Sequence, residues 1–69
     1  MTRTQLEAIA KPNEVVSDFQ YIQNGTDERG LPTYKLVYIS NPPNFKLVYI
    51  DVDSKLAILE DLDYVPPAV

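Results

Sequence analysis

Acidic residues are the first candidates for chemistry in this 69-residue chain. Asp51 and Asp53 are separated by one residue, so their carboxylates share a face if the segment is extended. Glu60 and Asp61 come near them if the intervening residues fold as a hairpin. Carboxylate oxygens are typical ligands of hard cations, but the rest of a calcium-binding loop is missing. The spacing favours an ordinary acidic turn over a weak carboxylate metal site, and we assign no metal-binding residue and no cofactor.

The chain contains no histidine and no cysteine. General acid–base and nucleophilic catalysis draw mostly on these residues or on an activated serine. Only a few serines and the carboxylates remain as alternatives. The sequence therefore predicts a protein that is not an enzyme.

Aromatic residues form the second group of candidates. The members chosen as partner-binding residues are Tyr34, Tyr38, Phe45 and Tyr49. Tyrosine combines a large apolar ring with a polar tip, and such residues are enriched at protein interfaces. Each one alone is better explained as the core or rim of a half-buried sheet. As a group, joined by Tyr21, they predict a face for partner binding or self-association.

Two similar runs, residues 34–40 and 45–51, must position these aromatic residues. Both are rich in β-branched and aromatic residues, and residues 41–44 between them combine two prolines with two asparagines. The pattern predicts a β-hairpin. Its facing residues are Tyr38 with Leu47, Leu36 with Tyr49, and Val37 with Val48. Both faces of this hairpin are apolar, so the sheet that contains it must be covered on both sides.

A short helix is predicted within residues 1–12. Thr2 and Gln5 match a capping box, and the proline at the end of the segment stops the helix. Leu6 and Ile9 lie on one stripe. Because about two helical turns are not stable alone, both residues are expected to dock on the sheet.

Residues 15–23 fit either a helix or a strand, and the β-forming residues around Phe19 favour a strand over 17–23. Residues 24–32 hold both glycines and predict a long loop.

Residues 55–60 fit a strand better than a helix, because acidic residues would lie at the negative end of the helix dipole. A two-residue turn at Asp53–Ser54 aligns this strand with the previous one. Its facing pairs are Ile50 with Ala57, Val48 with Leu59, and Tyr49 with Ile58.

The predicted fold is therefore α+β, with a short N-terminal helix packed on a four-stranded antiparallel β-meander. Residues 1–69 form a single small domain. Within it the helix lies in 1–12, the meander in 17–60, and an acidic, proline-containing tail in 61–69. The predicted strands lie near residues 17–23, 33–40, 45–52 and 55–60.

The net charge of −4 disfavours direct binding to nucleic acid or to an anionic membrane. No apolar run approaches a membrane span, and the lack of cysteine fits a soluble, cytoplasmic protein. These features predict a non-catalytic protein–protein interaction module or accessory subunit, which binds a protein partner or forms a homodimer. The alternative is an acidic inhibitor that imitates nucleic acid. Its carboxylates are Asp51, Asp53, Glu60, Asp61 and Asp63.

Overall fold

The protein folds as one short helix and a four-stranded antiparallel sheet in a computed structural model that describes residues 1–68. Helix α1 spans Arg3–Ile9. The strands are β1 (Glu14–Thr26), β2 (Pro32–Tyr38), β3 (Phe45–Asp51) and β4 (Leu56–Asp61). The predicted α+β class is confirmed, and the ambiguous residues 15–23 belong to a strand.

The helix begins as its sequence predicts. The Thr2 hydroxyl accepts a hydrogen bond from the Gln5 main chain at 3.2 Å, and the Gln5 side chain accepts one from the Thr2 main chain at 2.9 Å. Leu6 is fully buried, but Ile9 is 59% exposed, so the predicted docking of Ile9 is wrong. The helix ends at Ile9, and Ala10, one turn after Leu6, packs against the core instead.

The strand order is β2-β1-β4-β3, which places the two similar runs at opposite edges of the sheet. The predicted hairpin between residues 34–40 and 45–51 is therefore wrong. The reason is the length of β1, which pairs with two strands at once. Its residues 14–18 pair with β4, and its residues 19–26 pair with β2. Within residues 1–68, consecutive strands form hairpins only as β1 with β2 and β3 with β4.

Residues 39–44 connect β2 to β3 by crossing one face of the sheet. The Ser17 hydroxyl, which is fully buried, donates to the Ser40 carbonyl beneath this connection. Pro42 is buried, and the Asn44 carbonyl accepts a hydrogen bond from the Leu62 main chain at 3.0 Å. We call this side of the sheet the crossover face, because the connection covers it.

Helix α1 covers the opposite side, which we call the helix face. Leu6 packs there in one cluster with Val16, Leu56 and Ile58. The buried residues of the other side are Ser17, Phe19, Ala57 and Leu59. Strand β4 and the first half of β1 are thus covered on both faces, as two-sided apolar strands require.

The β3–β4 hairpin follows the predicted register only at its turn end. Tyr49 faces Ile58 and Ile50 faces Ala57, as predicted. The register then shifts between Leu47 and Tyr49, so Leu47 and not Val48 faces Leu59. The extra residue is Val48, which forms a β-bulge. The turn itself is wider than predicted, because it spans residues 52–55.

The β1–β2 hairpin projects from the covered part of the sheet as a two-stranded arm, residues 20–37. Its register shifts between Gln23 and Gly25, so Asn24 is an extra residue in β1. The connection within the arm is shorter than the predicted loop of residues 24–32, because the strands extend to Thr26 and from Pro32. The arm gives the molecule an elongated shape with extents of 55 × 25 × 15 Å.

Asp27 organises the connection at the tip of the arm. Its carboxylate accepts hydrogen bonds from the main chains of Arg29 and Leu31 at 2.9 and 3.0 Å. The Asp27 main chain also donates to the Leu31 carbonyl at 2.8 Å. These bonds close the connection between β1 and β2 as a compact turn.

The tail begins with a turn after β4, in which the Tyr64 main chain donates to the Asp61 carbonyl at 3.3 Å. Residues 64–68 form no helix or strand. Val69, the last residue of the predicted tail, lies outside the described residues. Within residues 1–68, no helix has the length and apolar character needed to cross a membrane.

Candidate interaction surface

The structure divides the four predicted partner-binding residues between the two faces. Tyr38 pairs with Phe19, and Tyr34 pairs with Gln23 four positions further along β1, so both lie on the crossover face. Phe45 joins them there, with its ring 5.2 Å from that of Tyr38. Tyr49 faces Ile58 and lies on the helix face, because the bulge at Val48 reverses the alternation.

Aromatic rings run continuously from the covered sheet into the arm. The Phe45 ring contacts Tyr38, the Tyr38 ring contacts Phe19 at 6.4 Å, and the Phe19 ring contacts Tyr21 at 5.8 Å. All three contacts are edge-to-face, the geometry that aromatic quadrupoles prefer. We call Tyr21, Tyr34, Tyr38 and Phe45 the aromatic surface.

Exposure increases along the aromatic surface toward the arm. Phe19 is almost fully buried beneath it, and Tyr38 and Phe45 are half-buried. Tyr21 is 46% exposed and Tyr34 is 61% exposed. The inner rings are held by packing against the sheet, while the outer rings are available for contact with another molecule.

Two polar groups modify the aromatic surface, the Tyr38 hydroxyl and the Lys55 ammonium. Burial, with the nearby Tyr21 as a smaller cause, raises the pKa of the Tyr38 hydroxyl, so this group stays protonated and can donate a hydrogen bond. The Lys55 ammonium lies 5.8 Å from the centre of the Tyr21 ring. This distance is within the range of a cation–π contact.

Two residues of this region had no place in the predicted site. Phe19 connects the outer rings to the core. The sequence feature that could have indicated this is its spacing of two residues from Tyr21, which places both side chains on one face of a strand. Lys55 adopts a left-handed backbone conformation with φ of 58°. No feature of the sequence indicated this conformation, which non-glycine residues rarely adopt.

The acidic residues do not form the predicted group. Asp51 and Asp61 lie at opposite ends of the β3–β4 hairpin, since Asp51 faces Leu56 and Asp61 faces Phe45. Asp51 is bound by the Met1 ammonium and by the Ser54 hydroxyl, each at 2.8 Å. Among residues 1–68, no group of three or more acidic side chains is arranged to hold a metal ion.

Comparisons with known proteins add no candidate residue, because no family model, no curated protein and no solved structure matches the chain. The candidate site is therefore defined by the position and exposure of its own side chains.

Proposed function

We propose that the protein is a non-catalytic interaction module that binds a protein through the aromatic surface. The observation that carries this proposal is the continuous row of rings that ends in exposed Tyr21 on a projecting arm, where exposed Tyr34 lies on the same face. Tyrosines of this kind bury a large area at low entropic cost and still satisfy their hydroxyl groups.

The energetics of the arm support the same proposal. A two-stranded hairpin is marginally stable alone, and large exposed apolar side chains on it add a hydration cost. On its helix-face side the arm also exposes Ile22, which is 40% accessible. A partner that covers these side chains stabilises the arm and binds at the same time.

The proposal is tested by capturing proteins from lysate of the source cells with the immobilised chain and with two double variants. Tyr21→Ser with Tyr34→Ser removes the exposed rings, and we expect it to lose the captured protein. Ile9→Ser with Tyr49→Ser is the matched control, because it removes two exposed apolar side chains outside the aromatic surface. Circular dichroism must show that both variants are folded. Equal loss of the captured protein by both variants, or by neither, contradicts the proposal.

A further inference from the structure

The arm leaves one edge of β1 without a partner strand. The Phe19 main-chain N–H donates to the Lys55 carbonyl at 3.2 Å, and β4 begins opposite Asp18. Beyond this point, no strand in residues 1–68 pairs with that edge of β1. Alternate residues of a strand present their main-chain groups to the same edge, so those of Tyr21 and Gln23 point outward with Phe19.

The free edge of β1 is open over residues 20–23. Natural edge strands carry lysines, prolines or bulges that block the addition of another chain. The free edge of β2 has Pro32 and Lys35, and the free edge of β3 has Lys46 and a bulge at Val48. Residues 20–23 of β1 include no charged residue and no proline, and the bulge at Asn24 comes only after them.

We infer that residues 20–23 of β1 pair in antiparallel fashion with the same residues of a second copy. An antiparallel strand edge is self-complementary about a two-fold axis, which is the commonest symmetry of protein dimers. In this dimer the outward main-chain groups of Tyr21 pair with those of Gln23 of the second copy, and those of Gln23 pair with Tyr21 of the second copy. The two-fold axis therefore lies at Ile22. This inference rests on the proposed function in one respect, because it names a second copy as a partner of the same arm.

The side chain at the axis favours this register. Ile22 is 40% exposed in the single chain. In the dimer it lies directly opposite Ile22 of the second copy, at a position without inter-strand hydrogen bonds, where facing side chains are closest. Each isoleucine therefore covers apolar surface of the other, and such cross-strand apolar pairs stabilise a sheet.

The neighbouring elements fix the ends of this pairing. The register places Asn24 of the second copy opposite Gln20, and the next position, beside Phe19, is already occupied by Lys55. The second strand must turn away here, and this is where it has its bulge and Gly25, whose φ is 122°. In this register the connection that follows, which carries Asp27, Glu28 and Arg29 and is acidic overall, comes next to the turn that holds the positive Lys55. By the two-fold symmetry this approach of opposite charges occurs twice in the dimer.

The test uses the absence of cysteine from the chain. Ile22→Cys introduces one thiol at the proposed axis. Facing residues without hydrogen bonds have Cα atoms about 4.5 Å apart, within the roughly 4.4–6.8 Å that a disulfide spans. We expect oxidation to give a covalent dimer at least about tenfold faster than for Thr33→Cys or Lys46→Cys, which place a thiol on the two other edge strands. Equal rates for all three variants, or faster coupling of a control, overturn the inference.

A second measurement distinguishes dimerisation through main-chain hydrogen bonds from dimerisation through side-chain contacts. Gln23→Pro removes the outward N–H, whereas Gln23→Ser keeps it, and the N–H at this position is not used in the pairing with β2. Sedimentation equilibrium should show a dimer for the wild type and for Gln23→Ser, and a monomer for Gln23→Pro. A monomeric wild type, or a dimer that persists in folded Gln23→Pro, overturns the inference. Tyr21→Ser with Tyr34→Ser keeps the main-chain edge, so loss of capture in that variant with an intact dimer would separate the two proposals.

Discussion

Asp51 shows how one side chain can connect distant parts of this small fold. Its carboxylate is only 12% exposed, and it binds the Met1 ammonium at one end of the chain and Ser54 in the β3–β4 turn. The hydrogen bond from the Met1 ammonium, followed by that from the Ser54 hydroxyl, lowers the pKa of Asp51 to about 2. The ionised form is therefore favoured in the folded state.

This lowered pKa predicts a loss of stability in acid. An ordinary aspartate has a pKa of about 3.9 in the unfolded chain. The contribution of Asp51 to stability is therefore complete above that pH and is lost as the pH falls through its folded-state pKa of about 2. Asp51→Asn should unfold at lower urea concentration than the wild type near neutral pH, and the difference should vanish near pH 2. Urea titrations at a series of pH values measure this.

The control for this prediction is Asp53→Asn, which removes the same charge from an exposed position in the same turn. Its urea midpoint should stay close to that of the wild type at every pH. A constant deficit of Asp51→Asn across the whole pH range would show that packing, and not ionisation, links Asp51 to stability.

At the scale of elements, local signals were predictable from the sequence and strand partners were not. Thr2 and Gln5 predicted the start of the helix because a capping box depends on residues close in sequence. The similarity of residues 34–40 and 45–51 predicted that they pair, but both runs have the composition of any half-buried strand. The partner was decided by β1, whose two halves pair with different strands.

The candidate site was predictable to the same extent. Tyr34 and Tyr38 lie on one face because strand alternation is a local property, whereas Phe45 reaches that face only through the pairing of β3 with β4 and of β4 with β1. Tyr49 lies on the other face because the bulge at Val48 inserts one residue into β3. No glycine or proline in this part of the sequence indicates the bulge. The free edge of β1 could not be predicted, since it depends on where β4 begins.

The bulge at Val48 predicts how β3 responds to the deletion of one residue. Deleting Val48 removes the extra residue and leaves Leu47 opposite Leu59 and Tyr49 opposite Ile58, as now. The faces of all remaining side chains are kept, so we expect a cooperative unfolding transition within about 1 kcal/mol of the wild type, the usual scale of tolerated changes. Urea denaturation followed by circular dichroism provides the measurement.

Deleting Ile50 from the same strand is the matched comparison. It shifts Tyr49 to the position opposite Ala57 and so to the crossover face, and it places Val48 opposite Ile58, while Leu47 can stay opposite Leu59. Because Tyr49 changes face and the partly buried Ile50 is lost, this variant should unfold at lower urea than the Val48 deletion. If the Val48 and Ile50 deletions are equally damaging, Val48 has a structural role beyond that of an inserted residue.

At the scale of the whole molecule, the arrangement of charge predicts how association responds to salt. The net charge of −4 is repulsive between copies, and the acidic residues of the β3–β4 hairpin lie at its two ends, so they form no single patch. Main-chain pairing and ring contacts are largely insensitive to ionic strength, whereas salt screens the net repulsion. Self-association measured by sedimentation equilibrium should therefore be unchanged or tighter when NaCl is raised from about 50 mM to about 500 mM. In the proposed dimer salt also screens the attraction between Lys55 and the acidic connection of the second copy, which limits this gain, and Lys55→Gln should make the dimer weaker at low salt only. A protein that imitates nucleic acid would behave in the opposite way, since its capture of a basic partner weakens steeply with salt. A captured partner that is lost steeply between these two salt concentrations would therefore shift the search for function from the arm to the acidic residues.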